Sequence, residues 1–212
     1  MPCLCASRLG TLLVLLWVLL PLMTSSTPST LCTSLTTLKS SLQPPHRRQL
    51  LKHNFPLNYT IRVRPQEVFR LHNINKLKAK VPDLELRHLQ HLWVMVNQEV
   101  LKKILRILPE RHPSRRYISG LERLLQMVQQ IQHEVEEEAE DEEPPEKIRE
   151  ILAKLRDSDV KTWKWVTPKT LVDNCFRTMH CLFGDCFLNS NAEQDYCNFL
   201  SWRKEQKPTL QA

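Results

Sequence analysis

The stretch Thr167 to Cys186, TPKTLVDNCFRTMHCLFGDC, contains the start and end signals of one amphipathic helix. Thr167 suits the N-cap, Pro168 suits the first turn, and Gly184 suits a left-handed residue just after the last turn. The spacing of its apolar residues predicts one buried face, made of Leu171, Val172, Cys175, Phe176, Met179, Leu182 and Phe183. The spacing places the following residues on the polar side: Lys169, Asp173, Asn174, Arg177, His180 and Cys181.

Three cysteines of this stretch point in three directions. Cys175 lies in the apolar face, Cys181 lies on the polar side, and Cys186 follows the helix. One metal ion could not be bound by all three unless the helix unwound. A zinc site made by His180, Cys181 and Cys186 also has the wrong spacing, so no metal site is expected.

The N-terminus has the three regions of a secretory signal peptide. Arg8 precedes an apolar run, Leu9 to Met23, and small residues follow in Thr24 to Ser26. We predict a signal peptide over residues 1–26 and a secreted, extracellular, soluble protein with no membrane insertion after cleavage. A retained N-terminal anchor is the alternative.

Five cysteines remain after residue 26, and an oxidising compartment favours disulfides between them. Two bridges and one spare thiol is the simplest arrangement. We favour Cys32–Cys186, which ties the first helix to the last, and Cys181–Cys197, which pins the tail to the helix. Cys175 is the preferred spare because a buried cysteine packs as a small hydrophobe. Exchange of Cys175 with Cys181 or Cys186, or an intermolecular bond from the spare thiol, stays open.

Apolar residues spaced by three and four predict three more principal helices. Pro44-Pro45 ends or bends the first helix, which resumes over His46 to Asn54, and Pro82-Asp83 opens the second. The predicted buried positions of the first helix are Leu31, Leu35, Leu38 and Leu42. Those of the second are Leu86, Leu89, Trp93, Val94, Val96, Val100, Leu101, Ile104, Leu105, Ile107 and Leu108. Those of the third are Tyr117, Leu121, Leu124, Val128, Ile131 and Val135.

The connections between these helices are long, short and long. Residues Leu57 to Val63 alternate apolar and polar side chains, which predicts a short strand in the first crossover. Residues 134–146 hold nine acids and no base, which predicts an exposed acidic loop, and Ile148 to Leu155 predicts a short extra helix. We predict an all-α, up-up-down-down four-helix bundle of the cytokine type over residues 27–200, with a flexible tail over residues 201–212.

The basic charge is concentrated before the acidic segment. The formal net charge is +7, yet residues 27–133 hold eighteen Lys and Arg against six acids. In an extracellular protein this excess favours sulfated glycosaminoglycans or an acidic receptor surface as partner, and nucleic acid is not expected. Asn58-Tyr59-Thr60 is an N-glycosylation sequon whose Asn lies on the polar face of the predicted strand.

Several motifs, in order along the chain, resemble interleukin-34. They are Lys52-His53-Asn54-Phe55-Pro56-Leu57-Asn58-Tyr59, Val68-Phe69-Arg70, Glu85-Leu86-Arg87 with Leu92-Trp93-Val94, His112-Pro113-Ser114 with Tyr117, Val128-Gln129-Gln130, and Pro168-Lys169 with Leu171 and Asp173-Asn174-Cys175-Phe176-Arg177. The resemblance runs from about Cys32 to Cys186. In this chain Arg115 and Arg116 follow the His-Pro-Ser turn where the family has an aromatic residue.

The resemblance implies a secreted cytokine that forms a non-covalent homodimer. It implies binding to the macrophage colony-stimulating factor receptor, a receptor tyrosine kinase, and promotion of monocyte and macrophage survival, proliferation and differentiation in innate immunity and inflammation. Contacts with proteoglycans bearing chondroitin or heparan sulfate are also implied. Such a ligand needs two equivalent surfaces on a rigid body and no cofactor.

Exposed polar positions on the second and third helices are the candidate receptor contacts. They are Glu85, Arg87, Gln90, Glu99, Lys103, Glu122, Arg123 and Gln126. The candidate dimer contacts lie around the His-Pro-Ser turn and are His112, Pro113, Arg115 and Tyr117. Hot spots are typically under a third of an interface, so most of these positions are expected to be ordinary solvent-facing residues.

Two other function classes are weighed against a cytokine. A secreted enzyme could draw on His53, His112 and His180, but the chain lacks G-x-S-x-G, H-E-x-x-H and C-x-x-C motifs. Cys175 in an apolar face also lacks the cationic, accessible surroundings of a catalytic thiolate. We therefore expect no catalysis. A glycosaminoglycan-binding helical protein without receptor signalling would explain the basic charge but not a dimer.

Overall fold

The computed structural model describes residues 27–138, 143–157, 159, 161–187 and 195–198. Seven α-helices and a two-stranded sheet occur in these ranges. The helices are α1 (Thr27–Ser41), α2 (Pro44–Arg48), α3 (Leu71–Lys80), α4 (Leu86–Ile107), α5 (Arg115–Glu138), α6 (Glu146–Arg156) and α7 (Pro168–Leu182). The strands are β1 (Ile61–Val63) and β2 (Lys164–Val166). A π-helical turn, Gln49–His53, continues α2, and short 3-10 helices span Pro65–Glu67 and Gly184–Phe187.

The four principal helices α1, α4, α5 and α7 pack around one core, as the sequence predicted. The start of α1 meets the chain just after α7, because Cys32 is bonded to Cys186. The start of α4 also meets the end of α7, because Gln90 Nε2 donates a 2.8 Å hydrogen bond to the Leu182 carbonyl. Helices α1 and α4 therefore both begin where α7 ends, so they are parallel to each other and antiparallel to α7.

Helix α5 runs in the same direction as α7. A connection of only a few residues joins α4 to α5, so the two pack as antiparallel neighbours. Tyr117 Oη, in the first turn of α5, donates a 2.9 Å hydrogen bond to the Ser41 carbonyl at the end of α1. Two helices up and two down is the arrangement predicted from the long, short and long connections.

Helix α7 begins as its sequence predicts but ends differently. The Thr167 side chain accepts a 3.2 Å hydrogen bond from the Thr170 backbone N–H, which is an N-cap. The prediction of a left-handed Gly184 is wrong, because no glycine in the described ranges has a positive φ. Gly184 instead opens a 3-10 helix that continues the right-handed winding and places Cys186 against Cys32.

More of α7 is buried than one amphipathic face would require. All seven apolar positions predicted for its buried face lie in the core. Asn174 and His180, predicted on the polar side, are buried as well. The reason is that α7 packs against α4 and also against α2, α3 and the π-helical turn, so it is covered from several sides.

The sheet is a two-stranded antiparallel ribbon that joins the two crossovers. Ile61 pairs with Val166 and Val63 pairs with Lys164. The prediction of a strand from residue 57 is wrong in extent, because Leu57 is 95% exposed and only Ile61 to Val63 are extended. Asn58 has a left-handed φ of 62°, so the chain turns before it enters β1.

Two helices differ in detail from their predicted burial. On α5 the fully buried apolar residues are Ile118, Leu121, Leu125 and Val128, whereas Tyr117, Leu124 and Ile131 are only half-buried. Leu121 and Val128 were predicted correctly, so the buried face is displaced by roughly 60°, less than the 100° of one residue, from the predicted face. At the ends of α4, Leu86 and Ile107 are exposed, because the neighbouring helices do not cover its terminal turns.

The acidic segment is partly helical. Helix α5 continues to Glu138, and α6 begins at Glu146, so the predicted loop bounds of 134–146 are too wide. The predicted signal peptide and the predicted tail lie outside the described residues. Within the described ranges, no helix is both long enough and apolar enough to cross a membrane.

Candidate interaction surfaces

Two disulfides hold the bundle together, and they are the two cysteine pairs that the sequence analysis favoured. Cys32 is bonded to Cys186 with a Cα–Cα distance of 4.9 Å, and Cys181 to Cys197 with 4.6 Å. Cys175 is free and buried, and burial raises the pKa of its thiol to about 12. A neutral, enclosed thiol is not a nucleophile. The described ranges also contain no group of three or more His, Cys, Asp or Glu residues that could hold a metal ion.

One buried tryptophan connects helices α4 and α7 in the core of the bundle. Trp93 is fully buried, and its Nε1 donates a 3.0 Å hydrogen bond to Thr178 Oγ1 on α7. Its ring also meets the edge of Phe183 at 5.2 Å between centroids. Because the indole N–H is satisfied inside the core, Trp93 fixes the position of α4 against α7.

The predicted receptor contacts on α4 and α5 fall into two separate regions. Glu85 and Arg87 lie at the start of α4, where they form an exposed ion pair of 2.7 Å. Glu99 lies about 20 Å further along the helix at 1.5 Å per residue. The eight candidates therefore do not form one patch.

Two of these candidates have structural partners. Lys103 Nζ lies 2.6 Å from both carboxylate oxygens of Glu67, which is almost fully buried. Gln90 is engaged by its hydrogen bond to the Leu182 carbonyl. Both side chains are only partly exposed, so their contacts within the bundle compete with any partner.

The other candidates lie on α4 and α5, whose polar flanks are joined by contacts to Gln129. Gln98 Nε2 on α4 donates a 2.5 Å hydrogen bond to Gln129 Oε1 on α5, which sets the register of the antiparallel pair. Gln129 Nε2 also lies 3.4 Å from Met95 Sδ on α4, and about one turn earlier on α5 the Gln126 amide donates a 2.5 Å hydrogen bond to Glu122. We call the resulting polar strip the α4–α5 surface; it comprises Met95, Glu99, Lys102, Glu122, Gln126 and Gln129.

Half of the α4–α5 surface was missed by the sequence analysis. Lys102 is three residues from the predicted core position Leu105, but Met95 and Gln129 are neither three nor four residues from any predicted core position, so helical spacing gave no signal for them. An adjoining cleft of about 310 Å³ is lined by Arg64, Arg106 and Arg156 together with Met95 and Glu99. Three guanidinium groups and one carboxylate make this end of the surface cationic.

The predicted dimer residues are held by contacts with the first crossover. Ser114 is fully buried, its N–H donates a 3.1 Å hydrogen bond to His112 Nδ1, and its hydroxyl donates to the Leu50 carbonyl. His112 Nε2 lies 3.2 Å from the Asn54 carbonyl. This geometry fits the tautomer in which Nδ1 accepts from Ser114 and the N–H on Nε2 faces the Asn54 carbonyl. These hydrogen bonds hold the turn from His112 to Ser114 in one conformation against the first crossover.

Two further dimer candidates also serve the fold. Arg115 Nη1 donates hydrogen bonds to the Leu105 and Leu108 carbonyls, at 2.9 Å and 2.6 Å, and so caps the end of α4. Tyr117 bonds to Ser41, and burial raises the pKa of its hydroxyl. Pro113 is exposed beside a shallow depression of about 590 Å³.

The predicted glycosylation site is open to solvent. Asn58 is exposed at the tip of the turn before β1, next to the exposed Leu57. The Phe55 ring lies 5.1 Å from Tyr59 and 5.0 Å from His112, so this turn and the His112 turn are neighbours.

A family model described as Interleukin 34 matches residues 25–191 of the chain.

Proposed function

The chain belongs to the interleukin-34 family, and from this premise we propose that it is a secreted, dimeric ligand of the macrophage colony-stimulating factor receptor. Members of this family are cytokines. We propose that two copies of the chain present two equivalent surfaces and bring two receptor kinases together. The cellular result is survival, proliferation and differentiation of monocytes and macrophages. The chain acts by binding and performs no catalysis.

The α4–α5 surface is the observation that carries this proposal. It combines polar side chains with partly exposed methionine on two helices whose register is fixed by the Gln98–Gln129 hydrogen bond. The buried Trp93 and the two disulfides make the scaffold stiff. A rigid surface loses little conformational entropy on binding, which favours affinity.

Dimerisation is proposed at the exposed side of the His112 turn, centred on Pro113. The buried Ser114 anchors this turn to the first crossover, so Pro113 is presented in one conformation. Arg111 and Arg116 flank it and are exposed, which makes this interface polar. Tyr117 and Arg115 support the turn from inside.

The receptor proposal is tested with matched glutamine variants. Gln126→Arg on the α4–α5 surface is compared with Gln49→Arg, an exposed glutamine outside it. We expect Gln126→Arg to weaken binding to the soluble receptor ectodomain at least about tenfold and to reduce receptor phosphorylation in macrophages. Gln49→Arg should change neither. Equal effects of the two variants would contradict this placement of the contact.

A second candidate function rests on the basic charge of the body. The cleft beside the α4–α5 surface is lined by three arginines, which suits the sulfate groups of proteoglycan chains. A glycosaminoglycan-binding protein without signalling would bind heparin or chondroitin sulfate and give no receptor phosphorylation. Binding of both sulfated chains and receptor would make the proteoglycan an accessory partner.

Secretion and glycosylation form part of the same proposal. Residues 1–26 direct export, and Asn58 carries an N-glycan on the turn before β1. Digestion with an amide-cleaving glycosidase should lower the mass of the protein from eukaryotic cells. The Asn58→Gln variant should show no such change in mass. An unchanged mass for the parent protein would contradict the glycan.

A further inference from the structure

A groove remote from the α4–α5 surface has two chemically distinct parts. It lies between α3, α6 and the sheet, and its volume is about 620 Å³. Its lining is mostly apolar and includes Phe69, Leu77, Val81 and Ile151. We call it the α3–α6 groove. Cavities of this size, roughly 300–1,000 Å³, are typical of small-molecule sites, whereas a protein interface needs a much wider area.

Four lysines surround this apolar lining. Lys76 and Lys80 come from α3, Lys147 from α6 and Lys164 from β2. None of the described residues that line the groove is acidic. Lys147 forms an ion pair of 2.5 Å with Glu150, but no acid of the described ranges pairs with the other three. Among the described residues, therefore, Lys76, Lys80 and Lys164 have no acidic partner at the mouth of the groove.

The two parts match the two ends of an amphiphile. Ammonium groups recognise phosphate or carboxylate oxygens as point charges, and apolar walls favour burial of an aliphatic chain. A sulfated polysaccharide would use the lysines but leave the apolar lining without a partner. We propose that the α3–α6 groove binds a single-chain amphiphile with an anionic head group, such as a long-chain phosphate monoester or carboxylate.

Orientation follows from the positions of the side chains. The phosphate or carboxylate lies between Lys76, Lys80 and Lys164, and the aliphatic chain lies along Leu77 and Ile151. This site shares no lining residue with the α4–α5 surface. Loss of the ligand therefore leaves receptor binding intact, and the two proposals are tested separately.

The direct test is isothermal titration calorimetry of the purified protein with 1-oleoyl lysophosphatidate below its critical micelle concentration. Oleate tests the carboxylate head, 1-oleoyl lysophosphatidylcholine tests the same tail with a zwitterionic head, and glycerol 3-phosphate tests the head alone. We expect saturable binding of lysophosphatidate, oleate or both. The zwitterionic lipid and glycerol 3-phosphate should each bind at least about tenfold more weakly.

Matched variants locate the site. The double variant Lys76→Gln/Lys80→Gln should weaken binding of the anionic lipid at least about tenfold, whereas Lys78→Gln, an exposed lysine of the same helix outside the groove, should not. Ile151→Gln should weaken binding, whereas Leu152→Gln should not, because Leu152 lines the cleft on the other side of α6. Circular dichroism establishes that each variant is folded.

Three results would overturn the proposal. The first is absence of binding by both anionic lipids. The second is binding of the zwitterionic lipid as tight as that of the anionic lipids, or a loss of affinity in the Lys78→Gln control as large as in Lys76→Gln/Lys80→Gln. The third is a heparin hexasaccharide that binds through Lys76 and Lys80 while the lipids do not, which would assign the groove to a polysaccharide.

Discussion

One ion pair, in which the carboxylate is buried, connects the first crossover of this molecule to helix α4. Glu67 is almost fully buried, and both of its carboxylate oxygens lie 2.6 Å from Lys103 Nζ on α4. Its Oε2 also accepts a 2.5 Å hydrogen bond from the Arg64 N–H. Sequence spacing placed Lys103 among exposed polar positions, because helical periodicity does not reveal a distant buried partner.

Removal of Lys103 should therefore damage the fold. Lys103→Met leaves the Glu67 carboxylate buried and unpaired, and we expect a loss of about 3 kcal/mol in the free energy of unfolding, measured with urea. The double variant Glu67→Gln/Lys103→Met should recover most of that loss, because no charge is left buried. A double variant as unstable as Lys103→Met would contradict this role for the ion pair.

His180 gives the stability a dependence on acid. Its ring lies among Phe176, Phe187 and Tyr196, at centroid distances of 4.7, 4.8 and 5.0 Å. Burial, helped by the nearby cations of Lys39 and Arg47, lowers the pKa of His180 from 6.5 to about 4. Between these two values the unfolded chain binds a proton that the folded protein excludes. Stability is therefore present above pH 6.5 and falls as the pH drops towards 4.

This dependence is measurable in one pair of proteins. From pH 7 to pH 5 the unfolding free energy should fall by about 2 kcal/mol more in the parent protein than in His180→Phe. Urea unfolding at both pH values provides the comparison. The phenylalanine variant lacks the titrating group but keeps an aromatic ring in the same site. An equal pH dependence of the two proteins would rule out His180 as its source.

Helix ends show what local sequence can and cannot specify. The Thr167 cap was predictable because the capping residue and its partner N–H are three residues apart. The backbone conformation of Gly184 was not predictable from local sequence, because the disulfide to a helix more than a hundred residues away fixes the chain after α7. On α5 the spacing predicted Leu121 and Val128 correctly, but the contacts with α1 and α4 decided that Ile118 and Leu125 are buried instead of Tyr117 and Leu124.

The cap at Thr167 should contribute a measurable amount. Thr167→Ala removes the acceptor of the Thr170 N–H, and we expect a loss of about 1 kcal/mol in the free energy of unfolding. Thr37→Ala is the matched control. Its hydroxyl donates to the Thr33 carbonyl on the exposed face of α1, where that carbonyl is within an intact helix, so its loss should be small. Equal losses in the two variants would argue against the cap.

Two disulfides of different span stabilise the molecule as a whole. Cys32 and Cys186 are 154 residues apart, whereas Cys181 and Cys197 are 16 residues apart. In the chain-entropy account the longer loop is worth about 5 kcal/mol and the shorter about 3 kcal/mol. We expect the double variant Cys32→Ser/Cys186→Ser to melt at a lower temperature than Cys181→Ser/Cys197→Ser. The reverse order would show that the entropy of the unfolded chain does not decide which disulfide stabilises the protein more.

The overall architecture was more accessible from the sequence than the interaction surfaces were. Leucine spacing and connection lengths predict four principal helices and their directions, because both are local properties of the chain. Of the two strands in the ribbon, only β1 was predicted, because Lys164 to Val166 lacks the alternation of apolar and polar residues that marked the first strand. The α4–α5 surface required the register of two helices, which only their packing reveals.

The most direct test of the central proposal is the mass of the complex with soluble receptor ectodomain, measured by light scattering after size-exclusion chromatography. The proposal predicts a dimer of this chain alone and a complex of two chains with two ectodomains. Pro113→Glu should shift the free protein towards monomer. A single chain that binds no ectodomain, under conditions in which it binds heparin, would contradict the account.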